Sequence, residues 1–315
     1  MADASDHFSA FSFVDRITEF TPGKGARGIF HVPANVRDFP ACLVAEAVGQ
    51  LAAWVSMEHI DYRGRPVAAL AFETRFLGDV APGDNIDLSV VIDDADDDAV
   101  SYRGWAEVNG KRVIELNDCL GPMLPVADFD APEALRERFA LLRGMGAPAD
   151  RFHGVASPSV ATVEHVPGQS MRAKLKVPAS APFFADHFPR RPVFPATLLL
   201  NSQIALATTL AGEADAGSNC LAPSRMTHVK MRAFIVPGQE VECRAEFAGA
   251  QDGITRVALS ATRMTPSCAP ATSARDSTSW PGTMNARILT CVMREGAKAS
   301  LPASASPASV VARAI

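Results

Sequence analysis

Tyrosine and tryptophan are scarce in this 315-residue chain, at two and three residues against seventeen phenylalanines. Proteins that grip single-stranded nucleic acid stack bases on aromatic rings and neutralise phosphates with lysine and arginine. Here the aromatics are few and the formal net charge is -5, which argues against a polyanion as principal partner. Long apolar runs are missing too: none approaches the roughly 20 residues that cross a bilayer. Residues 1–7 lack the basic start and apolar stretch of a secretion signal, so a cytoplasmic location is expected. The cysteines at 42, 119, 220, 243, 268 and 291 contain no CxxC pair. Their spacing fits neither a zinc site nor a small disulfide framework. No metal or other cofactor is expected, and the acidic run from Asp93 to Asp98 lacks the spacing and glycine of a calcium loop. It reads as a solvated turn.

What is present is a repeat. The length suits two domains of ordinary size, and two stretches of the chain match when laid side by side. Pro22-Gly23 matches Pro167-Gly168, and Pro33 matches Pro178, both at an offset of 145 positions. Farther on, Pro40 matches Pro195 and Pro82 matches Pro237, at an offset of 155. The second copy therefore carries ten extra residues between Pro178 and Pro195.

Each copy has the same order of elements. A Pro-Gly turn leads into an alternating strand, with Met171, Ala173, Leu175 and Val177 on one face in the second copy. A long helix follows, expected over 41–59 and 196–212, apolar nearly all round and hence buried. Antiparallel strands come next, with hairpin signals at Asn109-Gly110 and Asp252-Gly253. One buried helix against an antiparallel sheet, twice over, is an α+β architecture. The expected division is an N-terminal repeat over 1–122, a linker over 123–151, a C-terminal repeat over 152–264 and a tail over 265–315. The linker reads as a helix capped by Asp130, with Pro132 in its first turn and Leu135, Phe139 and Leu142 on one face. The tail is rich in Ser, Ala, Thr and Pro, with little periodicity, and is expected to be partly disordered or divergent.

The ten extra residues lie within the most informative segment, which runs through Asp186, His187, Phe188, Pro189, Arg190, Arg191 and Pro192 to Pro195, Ala196 and Thr197. It resembles the signature of bacterial 3-hydroxyacyl-[acyl-carrier-protein] dehydratases: His-Phe-Pro-Gly-x-Pro, then Pro-Gly, then a helix carrying a catalytic Glu or Asp. His187, Phe188, Pro189, Pro192 and Pro195 fit that signature, while Arg190 and Ala196 stand where the signature has glycine. The acid position is Asn201. In the first copy, the helix beginning after Pro40 resembles the family helix, with Glu46 on the acid position and Gln50 one turn later. That copy has no His-Phe-Pro segment. One repeat retains the histidine and the other the carboxylate.

The resemblance implies a hot-dog fold, here a fused double hot-dog in which each repeat is an antiparallel sheet wrapped around a long central helix. In homodimeric relatives each site takes histidine from one subunit and the acid from the other. A pseudo-dimer of these repeats is thus expected to unite His187 and Glu46 in one site and to leave the mirror site, with Asn201 and no histidine, inert. Loss of water from a 3-hydroxyacyl thioester needs a base near neutral pKa, which suits His187. It also needs an acid for the leaving hydroxyl. An apolar helix disfavours a charged carboxylate, which suits Glu46 to that role. The backbone N–H of Ala196, at a helix start, is the candidate for the thioester oxygen.

Phe184, Phe188, Pro195, Cys42 and Gln50 are the candidate substrate-lining residues, and Arg190 and Arg191 the candidate contacts for an acidic carrier protein. Cys42 itself reads as a packing residue rather than a reactive thiol. The implied activity is dehydration of 3-hydroxyacyl chains, on acyl carrier protein, in fatty-acid or polyketide-like synthesis. A hot-dog acyl thioesterase and a non-catalytic acyl-binding subunit are the competing readings. The fused pair is expected as a monomeric pseudo-dimer or a homo-oligomer.

Overall fold

Alternation of apolar and polar side chains builds the sheet. In strand β9 (Ser170–Lys176), Met171, Ala173 and Leu175 turn inward and are buried, whereas Lys174 and Lys176 face out. A computed structural model describes residues 10–149, 151–156, 158–214, 221–264 and 289–295. The other strands of the N-terminal half are β1 (Arg16–Thr21), β2 (Gly25–His31), β3 (Gly64–Pro66), β4 (Leu70–Phe76), β5 (Asn85–Ala95), β6 (Ala99–Val108) and β7 (Lys111–Pro125). Those of the C-terminal half are β8 (Ser159–Val166), β10 (Leu221–Lys230), β11 (Glu240–Gln251), β12 (Ile254–Met264) and β13 (Leu289–Glu295). Three α-helices, α1 (Ala41–His59), α2 (Pro132–Arg143) and α3 (Ala196–Ala214), and two short 3-10 turns, Val126–Asp128 and Pro182–Ala185, complete the elements of the described residues.

Twelve of the described strands form one path, β1-β2-β5-β6-β7-β4-β10-β13-β12-β11-β9-β8, and β3 pairs with β7. Read inward from its two edges, the path gives corresponding strands from the two halves in the same sequence: β1 with β8, β2 with β9, β5 with β11, β6 with β12, β7 with β13, and β4 with β10. The repeat in the sequence is therefore a repeat in the sheet. The halves join where β4 and β10 pair antiparallel, Val229 opposite Ala71 and Arg225 opposite Arg75.

The turns form where the sequence requires positive φ. Asn109 and Gly110 close the β6–β7 hairpin at φ of 52° and 72°, and Asp252 and Gly253 close β11–β12 at 55° and 68°. The acidic run sits at the β5–β6 turn, where an oxygen of Asp96 accepts from the N–H of Asp98 and of Ala99.

Helix α1 packs on β2, β5 and β6, and α3 on β9, β10, β11, β12 and β13. Ala47, Val48, Leu51 and Val55 on the sheet-facing side of α1 are fully buried, each larger side chain adding about 1.5–3 kcal/mol by leaving water. Close approach of α1 to the sheet depends on Gly104 of β6. A Cβ there would lie 2.5 Å from Val48 Cγ1 and 2.9 Å from the Ser89 carbonyl oxygen. The opposite stripe of α1, Ala45, Glu46, Gly49, Gln50, Ala53 and Trp54, is only partly covered by protein, and the space beside it holds the site described below.

Two expectations need correction. The C-terminal repeat extends past residue 264, because β13 lies between β10 and β12 with Cys291, Val292 and Met293 buried. Consecutive burial on both faces removes the alternation that marks a half-exposed strand. Its equivalent β7 follows β6 after two residues, whereas β13 follows β12 only after residues 265–288. The rest of the 265–315 stretch lies outside the described residues. In the linker, α2 buries Leu135 and Leu142 as expected, but its cap is Ala131. The Asp130 carboxylate instead pairs with two arginines, Arg65 and Arg138.

Candidate active site

A cavity of about 240 Å³ runs beside the half-covered stripe of α1. Cys42, Ala45, Glu46, Gly49, Gln50, Ala53, Trp54 and Met57 line it from α1, the i, i+3, i+4 pattern of one helix face. His187, Phe188, Ala196 and Thr197 line it from the C-terminal half, and Arg65, Leu135 and Arg138 from β3 and α2. His187 and Glu46, 141 residues apart in the chain, thus border a single space.

The imidazole is held from two sides. His187 Nδ1 lies 2.8 Å from the Val193 carbonyl oxygen, while the Val193 N–H donates to the His187 carbonyl oxygen at 2.9 Å. A carbonyl only accepts, so Nδ1 carries a proton and a neutral ring keeps its lone pair on Nε2. The ring stacks on Phe188 at 4.1 Å and meets Phe11 edge-on at 5.7 Å. Burial pushes the His187 pKa below the ordinary 6.5; Glu46 and the Val193 carbonyl oppose that shift, and Arg65 adds to it. The base form is therefore favoured at neutral pH.

Preceding it, Asp186 is buried and one of its oxygens accepts the N–H groups of Ala10 at 2.7 Å and Phe11 at 2.6 Å. Those bonds tie the histidine loop to the start of the N-terminal half.

Both carboxylate oxygens of Glu46 have partners. Thr197 Oγ1, from the first turn of α3, donates to Oε2 at 2.9 Å, and Gln50 Nε2 donates to Oε1 at 3.1 Å. Gln50 also donates to the Phe11 carbonyl at 2.9 Å and accepts the Phe13 N–H at 2.8 Å. Its amide thus uses both donors and its oxygen, and it fixes the carboxylate as well as lining the cavity.

Of the residues expected at the site, Cys42, Glu46, Gln50, His187, Phe188 and Ala196 border the cavity. Burial pushes the Cys42 thiol up to about 12, so it is an inert packing group. Phe184 and Pro195 are not among the lining residues. Phe184 is buried against Phe183, ring centroids 4.5 Å apart, and the Pro195 carbonyl accepts the N–H of Leu198 at the start of α3.

Arg190 and Arg191 turn to the linker. Arg190 Nη1 donates to the Ala127 carbonyl at 3.0 Å, and Arg191 lies over the rings of Phe129 and Phe234. Sequence reasoning missed Arg65, Arg138 and Thr197. Thr197 follows Ala196 in the quoted segment, but no spacing ties it to Glu46. Arg65 falls between the matched prolines Pro40 and Pro82 without a motif of its own, and Arg138 lies in the linker.

The family model described as ApeI-like, ApeI dehydratase, matches residues 163–265. The chain is 36% identical over 120 residues to 3-hydroxyacyl-[acyl-carrier-protein] dehydratase FabZ of Geobacillus thermodenitrificans, covering 35% of this chain and 83% of that protein. It is 34% identical over 128 residues to the FabZ of Bacillus subtilis, covering 36% and 91%. The chain belongs to the FabZ dehydratase family. FabZ likeness at this level spans about a third of the chain.

Most of the chain matches solved structures in fold. One is a tesB protein of Mycobacterium avium subspecies paratuberculosis, with a TM-score of 0.50 at 13% identity, covering 86% of this chain and 93% of that one. Another is an oleoyl thioesterase structure from Lactobacillus plantarum, with a TM-score of 0.52 at 8% identity, covering 88% and 98%. At such identities the likeness speaks for the fold alone.

Proposed function

We propose that this chain dehydrates 3-hydroxyacyl thioesters carried by acyl carrier protein to enoyl thioesters, as part of fatty-acid or polyketide-like synthesis. The supporting observation is the pairing of an imidazole and a carboxyl group, one from each half of a FabZ-family chain, along one cavity. In this reading the molecule is a double hot-dog, each half a sheet wrapped around its long helix, with one working site.

His187 Nε2 takes a proton from the carbon next to the thioester carbonyl. The electrons left behind form the new double bond as the bond from C3 to its hydroxyl breaks, and Glu46 supplies the proton that releases the hydroxyl as water. Negative charge gathers on the thioester oxygen during this step. The N–H of Ala196, in the first turn of α3 where N–H groups have no partner within the helix, is the proposed donor to that oxygen. Arg190 and Arg191 are the proposed contacts for the carrier protein.

Incubation with 3-hydroxyacyl-carrier substrates tests the reading. A product lighter by one water, with no free thiol released, supports it. Free thiol with an intact hydroxyacyl group would mark a thioesterase instead.

A further inference from the structure

We propose that Arg65 is a positioning residue for His187, and that the linker between the two halves holds it there. The inference rests on the reading of His187 as the base.

Arg65 belongs to β3, a strand of three residues against β7. Its guanidinium lies 4.2 Å over the ring of Phe188, the same ring that stacks on the His187 imidazole at 4.1 Å with a tilt of 23°. Phe129, just before α2, meets Phe188 edge-on at 5.2 Å. Phe188 is therefore clamped between the histidine it follows, a cation from the N-terminal half and an aromatic ring from the linker. Movement of Phe188 would carry the imidazole plane with it.

The linker fixes the cation as well. Arg65 Nη1 is 3.5 Å from Asp130 Oδ2, and the same oxygen accepts from Arg138 Nη1 at 3.3 Å. Asp130 is only 3% exposed. Two guanidinium groups share one carboxylate, which leaves a net positive charge beside the cavity that both arginines line. Burial lowers the Arg65 pKa to about 10, so the group stays charged at neutral pH.

The charged groups around His187 come from several elements. Glu46 faces it from α1, Arg65 from β3 backed by Asp130 and Arg138, and Arg232 lines the cavity beyond the end of β10. Asp186, on the same loop, has an oxygen engaged with Ala10 and Phe11. A base must be neutral to accept a proton, and a fixed cation nearby opposes the imidazolium form. Arginine suits both tasks, because its flat, permanently charged head stacks on a ring where a lysine ammonium does not.

The test is the pH profile of dehydration, measured on the full chain with a 3-hydroxyacyl-carrier substrate, for Arg65→Met and Arg65→Lys. Arg65→Met should move the acid limb of kcat/KM up by about half a pH unit or more and lower kcat about tenfold, with KM changing less. Arg65→Lys should keep the wild-type acid limb, since the charge remains, yet lose kcat, since the stack does not. Folded Arg65→Met protein with a wild-type acid limb and kcat would overturn the proposal. So would an Arg65→Met profile shared by Arg65→Lys. If Arg65→Met does not fold, Arg65→Lys decides: lowered kcat with an unmoved limb supports the role, and wild-type kcat defeats it. Inactive wild-type protein would instead defeat the dehydratase reading, so the two failures are separable.

Discussion

Thr197, in the first turn of α3, donates a 2.9 Å hydrogen bond to Glu46 in the second turn of α1. The bond crosses from the C-terminal to the N-terminal half at the site itself. It aims a carboxyl group of one half using a side chain of the other, so neither half has this arrangement alone.

Removing that bond should weaken turnover without unfolding the chain. Thr197→Val keeps the shape and deletes the hydroxyl, and should lower kcat by about tenfold; Thr197→Ser should restore most of it. A hydrogen bond to a charged or reacting group is worth about 1.5–3 kcal/mol, the scale of that loss. Steady-state rates for the two variants, with circular dichroism to verify folding, check the expectation.

The depressed His187 pKa fixes the direction of the pH dependence. The reaction needs neutral imidazole, and burial lowers the folded-state pKa below 6.5. The half-point of the acid limb should therefore lie below pH 6.5, with activity falling as pH drops through the folded-state value. A kcat/KM profile whose acid limb sits at or above 6.5 would show that the titrating base is another group or a more exposed one.

The two-halves sheet also carries an expectation about stability. Met293 of β13 is fully buried between β10 and β12. Truncating it to alanine should cost about 2–5 kcal/mol, measured as a shift in the urea unfolding midpoint. A change under about 0.5 kcal/mol, the range of ordinary surface substitutions, would mean that the C-terminal half does not depend on this strand.

Asymmetry between the halves gives a fourth expectation. By the sequence resemblance Asn201, on α3, takes the acid position, and it is not among the residues that border the cavity. Asn201→Ala should leave kcat within about twofold of wild type. A large loss in folded protein would mean that the second helix also contributes to chemistry.

How much of this was legible in the sequence depended on whether the signal was local. Pro-Gly and Asn-Gly turns, the His-Phe-Pro segment and the two apolar helices are written in neighbouring residues, and the offsets between copies disclosed the repeat. Strand β13 was not legible, because Cys291, Val292 and Met293 are buried without alternation and lie far along the chain from β12. Phe184 does not border the cavity because its ring is buried against Phe183, and closeness to His187 in the chain does not disclose that packing. The Asp130–Arg65–Arg138 cluster depends on contacts between the linker and the N-terminal half, with partners 65 and 8 residues from Asp130. Asp130 read instead as a helix cap, the commoner use of an aspartate before Ala-Pro.

The decisive measurement compares wild type, His187→Ala, Glu46→Gln and the double variant for water loss from a 3-hydroxyacyl-carrier substrate, followed by mass spectrometry. Wild type should form the enoyl product. Each single variant should stay folded and lose about 10²-fold or more in rate, with the double variant little worse than either, as expected for groups that act as a unit. Near-wild-type turnover in either folded single variant would contradict a shared site built from the two halves.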